Sequence, residues 1–300
     1  MSPQPRRDTT AGRVYNDLRN LARRQGQPTD ELFQLYLLKR FLFRLAQSPQ
    51  NGRLVLKGGT LLAAYQLRRP TQDIDVQAQQ LPGGVVTIQR MVEQVCTVDV
   101  EDGVTFQLDQ IAVRTIREGA AYEGLRVRVP AALGQAQLVL RLDISIGDPI
   151  TPDPAEVTYP QLLGGSFAVT GYPLPAVLAE KLVTMVELGE GNTRDRDVGD
   201  VVRITGAHRI DADELRSACE ATAAYRRVRL DPLAPMMGAL GQQRQSAWTR
   251  WLRRVQLEDE LPSRFAEALQ QVIEFADPIL DSTVTAATWL PQDRRWEPSP

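Results

Sequence analysis

Residues 53–62 read RLVLKGGTLL, and this stretch decides how the first half of the chain folds. The alternation over 53–57 predicts a short strand. The glycine pair Gly58-Gly59 predicts a tight turn, and a brief helix is predicted over 60–67. A strand, a tight turn and a helix in this order let backbone N–H groups approach a phosphate closely, so we expect a nucleotide to bind here.

Two carboxylates follow this turn on the next predicted strand. Asp73 and Asp75 flank Ile74, and side chains two positions apart in a strand point to the same face. Two like charges in one small volume repel, and a divalent cation relieves that repulsion. Magnesium prefers carboxylates together with phosphate oxygens. The pair therefore predicts a site for magnesium or manganese, with an exposed strand face or a turn as the alternative.

A third carboxylate, Asp143, lies within the strongest predicted strand of the chain, residues 138–146. Burial of an unpaired carboxylate there costs several kcal/mol unless the group is paired or binds a metal. Asp143 is therefore a predicted third metal ligand. The alternative is a salt bridge with a nearby arginine such as Arg141.

The amino-acid composition further limits the kinds of catalytic and metal site that the chain can form. The 300 residues include one histidine, His208, and two cysteines, Cys96 and Cys219, which are far apart in sequence. This excludes a zinc cluster and a histidine-rich proton relay. Oxygen ligands and a few cations remain, which is the set that a magnesium enzyme acting on phosphates uses. Lysine occurs only at Lys39, Lys57 and Lys181, and all other cationic residues are arginine.

The element pattern predicts an α/β (α+β) protein with a mixed sheet flanked by helices and a mainly helical C-terminal domain. We divide it into N-terminal helices packed on the core, a core domain, a helical domain and a tail, at residues 1–50, 51–160, 161–290 and 291–300. The proline-rich stretch 147–160 is predicted to be a connection. No run of about 18 apolar residues and no signal-peptide core occurs, so we expect a cytoplasmic protein without membrane contact.

Five segments resemble the successive motifs of the AbiEii family, which belongs to the polymerase β-like nucleotidyltransferase superfamily. The similarity spans roughly residues 53–200, in the same order along the chain. The segments are Leu56-Lys57-Gly58-Gly59-Thr60, Arg69-Pro70-Thr71-Gln72-Asp73-Ile74-Asp75, Leu142-Asp143-Ile144-Ser145, Glu180-Lys181-Leu182 and Thr193-Arg194-Asp195-Arg196-Asp197.

The resemblance implies a nucleotidyltransferase-like sheet and a role for each matching residue. Asp73 and Asp75 would hold the metal and, with Lys181 and Asp197 from the helical domain, form the catalytic set. The residues that would bind the nucleoside triphosphate are Lys57, Gly58, Gly59, Thr60, Arg69 and Thr71. It also implies a toxin of a toxin–antitoxin or abortive-infection system that adds a nucleotide to the 3′ acceptor end of tRNA, blocks aminoacylation and has a cognate antitoxin protein.

Arginine clusters mark the surfaces where an RNA acceptor is expected. They are Arg68-Arg69, Arg226-Arg227-Arg229 and Arg250-Arg253-Arg254, the last interleaved with Trp248 and Trp251. Arginine and aromatic planes stack on exposed bases. The alternative is that each cluster is a solvated helix face.

Two other functions fit the same carboxylates. A metal-dependent phosphodiesterase would cleave nucleic acid without a triphosphate. A catalytically weak nucleotide-binding interaction protein would bind the triphosphate without turning it over.

Overall fold

The computed structural model describes residues 7–79, 84–118, 122–147, 149–238 and 240–299. The chain divides into two compact units. The first comprises the described part of residues 1–147 together with Ala155–Gly171, and the second comprises the described part of 148–154 and 172–300. None of the helices in these ranges is long and apolar enough to cross a membrane.

Helices and strands intermix in the first unit. Its helices are α1 (Thr10–Gln25), α2 (Thr29–Gln47), α3 (Gly58–Leu61) and α4 (Gly84–Cys96). Its strands are β1 (Leu54–Lys57), β2 (Ile74–Ala78), β3 (Val104–Phe106), β4 (Ala112–Glu118), β5 (Tyr122–Leu133), β6 (Ala136–Ile146), β7 (Ala155–Pro160) and β8 (Ser166–Gly171).

These strands form one mixed sheet in the order β3-β5-β6-β2-β1-β8-β7, and β4 also pairs with β5. The pairs β2–β6 and β1–β8 are parallel, whereas β1–β2 and β5–β6 are antiparallel. The predicted fold class, a mixed sheet flanked by helices, is confirmed. The sheet places β1, β2 and β6 side by side. The glycine turn follows β1, Asp73 immediately precedes β2, Asp75 lies in β2 and Asp143 lies in β6.

The core of the first unit forms where α2 packs on β6 and β8. Leu38, Phe41, Leu42 and Leu45 of α2 are fully buried. Burial of each such side chain stabilises the fold by about 1.5–3 kcal/mol. The central strands are therefore a rigid support for the residues at their ends.

Two segments of the first unit differ from the sequence-based expectation. Residues 155–160 form β7, although the proline-rich stretch around them predicts a connection. β7 is an edge strand, where a terminal proline such as Pro160 removes no ladder hydrogen bond that the sheet needs. The predicted helix 60–67 is shorter, because beyond Leu61 the backbone continues as turns with hydrogen bonds between residues three apart.

The second unit is mainly helical. Its helices are α5 (Leu174–Leu188), α6 (Asp195–Ala207), α7 (Ala212–Arg226), α8 (Leu233–Met237), α9 (Leu240–Gln243), α10 (Gln245–Val255) and α11 (Phe265–Leu280). A three-stranded sheet of β9 (Ile210–Asp211), β10 (Ala287–Leu290) and β11 (Arg295–Pro298) accompanies them, in the order β11-β10-β9.

Aromatic side chains hold this small sheet on the helices. Trp296 of β11 stacks on Phe275 of α11 with ring centroids 5.2 Å apart, and its indole Nε1–H donates to the Phe275 carbonyl. Trp289 of β10 donates to the carbonyl of Thr205 over 2.7 Å. Residues 291–300, assigned above to a tail, thus include a paired strand, and residues 166–171, assigned above to the helical domain, form β8 of the first unit.

Candidate active site

The glycine turn and the second aspartate fit directly against each other. Gly58 has a φ of +66°, and a Cβ added there would lie 2.1 Å from Asp75 Oδ2. A Cβ on Gly59 would lie 2.7 Å from an Nη atom of Arg69. The two glycines therefore make room for a carboxylate and a guanidinium beside the turn.

Hydroxyl groups connect the turn to the first aspartate. Thr60 is buried, and its Oγ1 donates to the backbone carbonyl of Asp73 over 2.7 Å. Thr71 Oγ1 donates to Asp73 Oδ1 over 3.0 Å and so orients that carboxylate. Thr60 therefore ties together the segments that carry the glycines and the aspartates, while its contact with a nucleotide stays a prediction.

Strand register brings the carboxylates together at one place in the sheet. Asp75 pairs with Asp143 across the parallel β2–β6 ladder and with Lys57 across the antiparallel β1–β2 ladder. Asp73 precedes Asp75 by two positions, with buried Ile74 between them. The lysine, the glycine turn and the three aspartates thus form one continuous patch of the first unit.

Asp143 already has a partner in this structure. Its Oδ1 accepts from Arg126 Nε over 2.8 Å and its Oδ2 from Arg126 Nη2 over 2.7 Å, a bidentate pair across the β5–β6 ladder. The alternative for Asp143 in the sequence was a salt bridge to a nearby arginine such as Arg141, and the arginine found is Arg126. A metal-ligating role for Asp143 stays a prediction that requires Arg126 to release it.

The donor set still suits magnesium. Among the described residues, no group of three carboxylate, histidine or cysteine side chains is arranged to hold a metal ion. Magnesium binds to proteins through one or two carboxylates when substrate phosphates supply further oxygens. Asp73 and Asp75 provide those two carboxylates next to a turn suited to phosphate. The two residues therefore fit the ion together with a triphosphate.

The predicted site residues of the second unit, Lys181 and Asp197, belong to a buried ion cluster. Lys181 Nζ on α5 donates to Asp197 Oδ1 over 2.7 Å and to Asp200 Oδ2 over 2.8 Å, both on α6. Arg194 also bonds to Asp197. The side chains of Asp197 and Asp200 are 2% and 0% exposed. The structure thus brings Lys181 and Asp197 into direct contact.

The protonation state of Asp197 follows from this cluster. Burial by itself raises the pKa of Asp197, but the Lys181 ammonium, the Arg194 guanidinium and the hydrogen bond from Lys181 hold the pKa well below its usual range. Asp197 is therefore a charged, weakly basic group at neutral pH. Such a group is suited to position an acceptor hydroxyl and poorly suited to remove its proton.

The tryptophans expected to stack on RNA bases do not face solvent. Trp248 is 0% exposed and Trp251 6% exposed, and their rings stack on each other with centroids 5.0 Å apart. The prediction of base stacking by this pair is wrong, because both rings belong to the core. In the second cluster, Arg226 donates to Thr184 Oγ1 within the second unit.

Sequence reasoning also missed two arginines. Arg126, the partner of Asp143, is fixed by the β5–β6 register, which the two-residue loop Gly134-Gln135 sets. Arg196, in the fifth motif, is exposed beside α10, and nothing in the local sequence pattern distinguishes it from a solvated helix residue.

A mixed sheet with a glycine turn against Asp75 is an arrangement typical of the nucleotidyltransferase class. The model of one family, nucleotidyl transferase AbiEii toxin of type IV toxin–antitoxin systems, matches residues 40–271. The chain belongs to this AbiEii family of nucleotidyltransferase toxins, and the resemblance drawn from the five motifs is confirmed.

Two solved structures from Helicobacter pylori are similar to this chain. JHP933 shares 15% sequence identity at a TM-score of 0.48, over 85% of this chain and 95% of its own. A protein provisionally described as a nucleotidyltransferase shares 15% identity at a TM-score of 0.49, over 86% of this chain and 99% of its own. No relative among the curated proteins matches this chain.

Proposed function

We propose that this toxin transfers a nucleotide from a nucleoside triphosphate to the 3′ acceptor end of tRNA, with magnesium, and so blocks aminoacylation until a cognate antitoxin counters it. The observation that supports this most strongly is the contact between the Gly58 turn and the Asp75 carboxylate. It places a backbone suited to phosphate beside a group suited to magnesium.

The reaction is an in-line substitution at the α-phosphorus. A ribose hydroxyl of the acceptor forms the new P–O bond, the bond to pyrophosphate breaks, and the hydroxyl proton passes to water. Asp73 and Asp75 would hold the magnesium ion, which would neutralise charge on the phosphate oxygens when bound. Lys57, opposite Asp75 in the β1–β2 ladder, adds a positive charge at the triphosphate. Asp197, fixed by Lys181 and Arg194, positions the acceptor.

Transfer of label from each of the four α-labelled triphosphates into total tRNA tests this proposal. The native chain should label tRNA with at least one triphosphate in the presence of magnesium. The isosteric Asp75→Asn variant should fold normally and lose transfer by at least about a hundredfold, because it loses the charge that holds the cation.

Asp109→Asn is the matched control, since Asp109 is an exposed aspartate of the same unit outside this patch. It should transfer like the native chain. Full transfer by Asp75→Asn would show that this carboxylate does not hold the metal ion. Release of fragments from labelled RNA without any triphosphate would identify a phosphodiesterase instead.

A further inference from the structure

A cleft of about 570 Å³ lies in the second unit between the start of α6 and one face of α10. Four of its eight lining residues are arginine, in contrast to the mainly apolar lining of ordinary small-molecule pockets. The residues that line it are Thr193, Arg194, Asp195, Arg196, Ala247, Arg250, Trp251 and Arg254.

Most of the positive charge in this cleft is not neutralised by the protein. Arg196, Arg250 and Arg254 are exposed and form no hydrogen bond or salt bridge with any residue in the described ranges. The one acidic residue of the lining, Asp195, is already neutralised by a bidentate pair with Arg244. The cleft therefore presents guanidinium groups to an anion from solution.

The geometry of α10 fixes these groups in a row. Arg250 and Arg254 are four residues apart on one helix face, a rise of about 6 Å. Two like charges at this spacing destabilise a helix slightly unless an anion lies between them. Trp251, between them in sequence, packs against Gly199 of α6, where a Cβ would lie 2.4 Å from its ring. The close packing of α10 on α6 holds both arginines over the cleft.

We propose that this cleft binds the phosphodiester backbone of the RNA acceptor, an inference that rests on the proposed transfer to RNA. A row of guanidiniums about one helical turn apart suits successive phosphates of a nucleic acid chain. Trp251 lines the cleft but is only 6% exposed, so it offers little aromatic surface to a base, and recognition is through phosphates and independent of sequence.

The cleft also adjoins a residue of the predicted catalytic set. Arg194 lines the cleft and bonds to Asp197 through its Nε. A phosphate bound among the arginines would therefore lie near Asp197, which the proposed function assigns to acceptor positioning.

Binding of fluorescently labelled tRNA to the full chain, without nucleotide, tests this inference by anisotropy at several salt concentrations. Arg250→Ala and Arg254→Ala should each weaken binding roughly tenfold and reduce the slope of log affinity against log salt by about 1. Arg253→Ala is the matched control, because Arg253 is exposed on the same helix but does not line the cleft. It should bind within about twofold of the native chain.

The inference falls if the three variants bind tRNA equally, or if the native chain does not bind tRNA. It also falls if the cleft variants lose affinity for free triphosphate or inorganic phosphate and keep their affinity for tRNA. Transfer activity is measured separately, so failure of the cleft proposal and failure of the proposed function can be distinguished. If the native chain transfers a nucleotide to tRNA but all variants bind tRNA equally, the cleft proposal is wrong and the proposed function stands. If Arg250→Ala and Arg254→Ala selectively lose tRNA binding but the native chain transfers no nucleotide from any triphosphate, the proposed function is wrong.

Discussion

Gly58 is the residue at which backbone conformation and site chemistry depend most directly on each other. Its φ of +66° is in the left-handed region, which side chains other than glycine adopt at a cost of about 1–2 kcal/mol. Its missing Cβ also leaves the space that the Asp75 carboxylate occupies. One glycine therefore serves both the turn and the position of a predicted metal ligand.

The substitution Gly58→Ala should abolish nucleotide transfer while the protein remains folded. The added Cβ displaces Asp75, so we expect a loss of transfer of at least about a hundredfold, since small displacements of catalytic groups have effects of this size. The free energy of unfolding should fall by about 2–5 kcal/mol, the sum of backbone strain and overpacking. Transfer assays and urea unfolding measure the two effects.

Gly26→Ala separates strain from the steric effect on Asp75. Gly26 has a nearly equal φ of +63°, and a Cβ there meets no atom within 4 Å. This control should lose about 1–2 kcal/mol of stability and keep full transfer. Equal transfer by both variants would show that the contact between Gly58 and Asp75 does not matter for the reaction.

Asp197 provides a second prediction at the scale of single residues, through the pH dependence of stability. Asp197→Asn should lower the free energy of unfolding at pH 7 by about 2–3 kcal/mol, because Lys181 loses one of two buried carboxylate partners. The pKa of Asp197 is depressed in the fold, so its contribution is complete above the unfolded carboxyl pKa of about 3.9 and is lost as the pH falls toward the folded value.

The stability difference between native protein and Asp197→Asn should therefore be constant from about pH 7 to pH 5 and shrink below about pH 4. Urea unfolding of both proteins at these pH values measures it. Asp259→Asn, at an exposed position of the same unit, should show almost no difference at any pH. A difference that grows on acidification would contradict the depressed pKa.

The packing of α10 on α6 is the element-scale feature on which the arginine cleft depends. In Gly199→Ala a Cβ would lie 2.4 Å from the Trp251 ring and 3.3 Å from Leu261 Cδ1. Overpacking of this kind costs about 1–3 kcal/mol, which exceeds the gain of up to about 1 kcal/mol from a better helix former. Thermal or urea unfolding should show net destabilisation, and anisotropy should show weaker tRNA binding.

Gly206→Ala is the control within the same helix. A Cβ there would meet only Arg294 Nη1 at 3.9 Å, an ordinary contact. This variant should be as stable as the native protein or more stable by up to about 1 kcal/mol. If Gly199→Ala were as stable as Gly206→Ala, the contact between Trp251 and Gly199 would not be tightly packed.

Most elements could be predicted from apolar periodicity, and the exceptions have physical reasons. β6 over Ala136–Ile146 contains its predicted range 138–146, because its apolar residues alternate clearly along the strand. β7 was missed because an edge strand tolerates prolines that exclude a central strand. β11 was missed because its stability comes from Trp296 packing on Phe275, a contact between distant parts of the sequence.

The residues of the candidate site could be proposed from the sequence, but the pairs that they form could not. Glycines and aspartates at fixed spacing mark a phosphate and metal site because few other arrangements need them. Whether a carboxylate such as Asp143 binds a metal or an arginine depends on the neighbouring strand. Likewise, the amphipathic pattern of α10 does not show that Trp251 faces α6 and leaves Arg250 in solvent.

Across the whole molecule, charge is distributed unevenly. The chain carries a formal net charge of −2 and a sequence pI of about 5.7, so its total charge does not attract a polyanion. Electrostatic attraction to RNA must come from local clusters, because salt screens the interaction between exposed charges over about 8 Å at physiological ionic strength. The cleft between α6 and α10 is such a cluster.

The salt dependence of tRNA binding follows from the number of arginines in that cleft. Each phosphate neutralised by a protein cation contributes a slope of about −0.7 for single strands and −0.9 for duplex in log affinity against log salt. Four arginines line the cleft, and three of them, Arg196, Arg250 and Arg254, bond to no residue in the described ranges, so the native chain should show a slope of about −2 to −3. Anisotropy titrations between about 50 and 200 mM salt give this value, with stoichiometry measured at low salt. A slope steeper than about −6 would show that arginines outside the cleft hold the RNA as well, and a slope near zero would exclude phosphate contacts altogether.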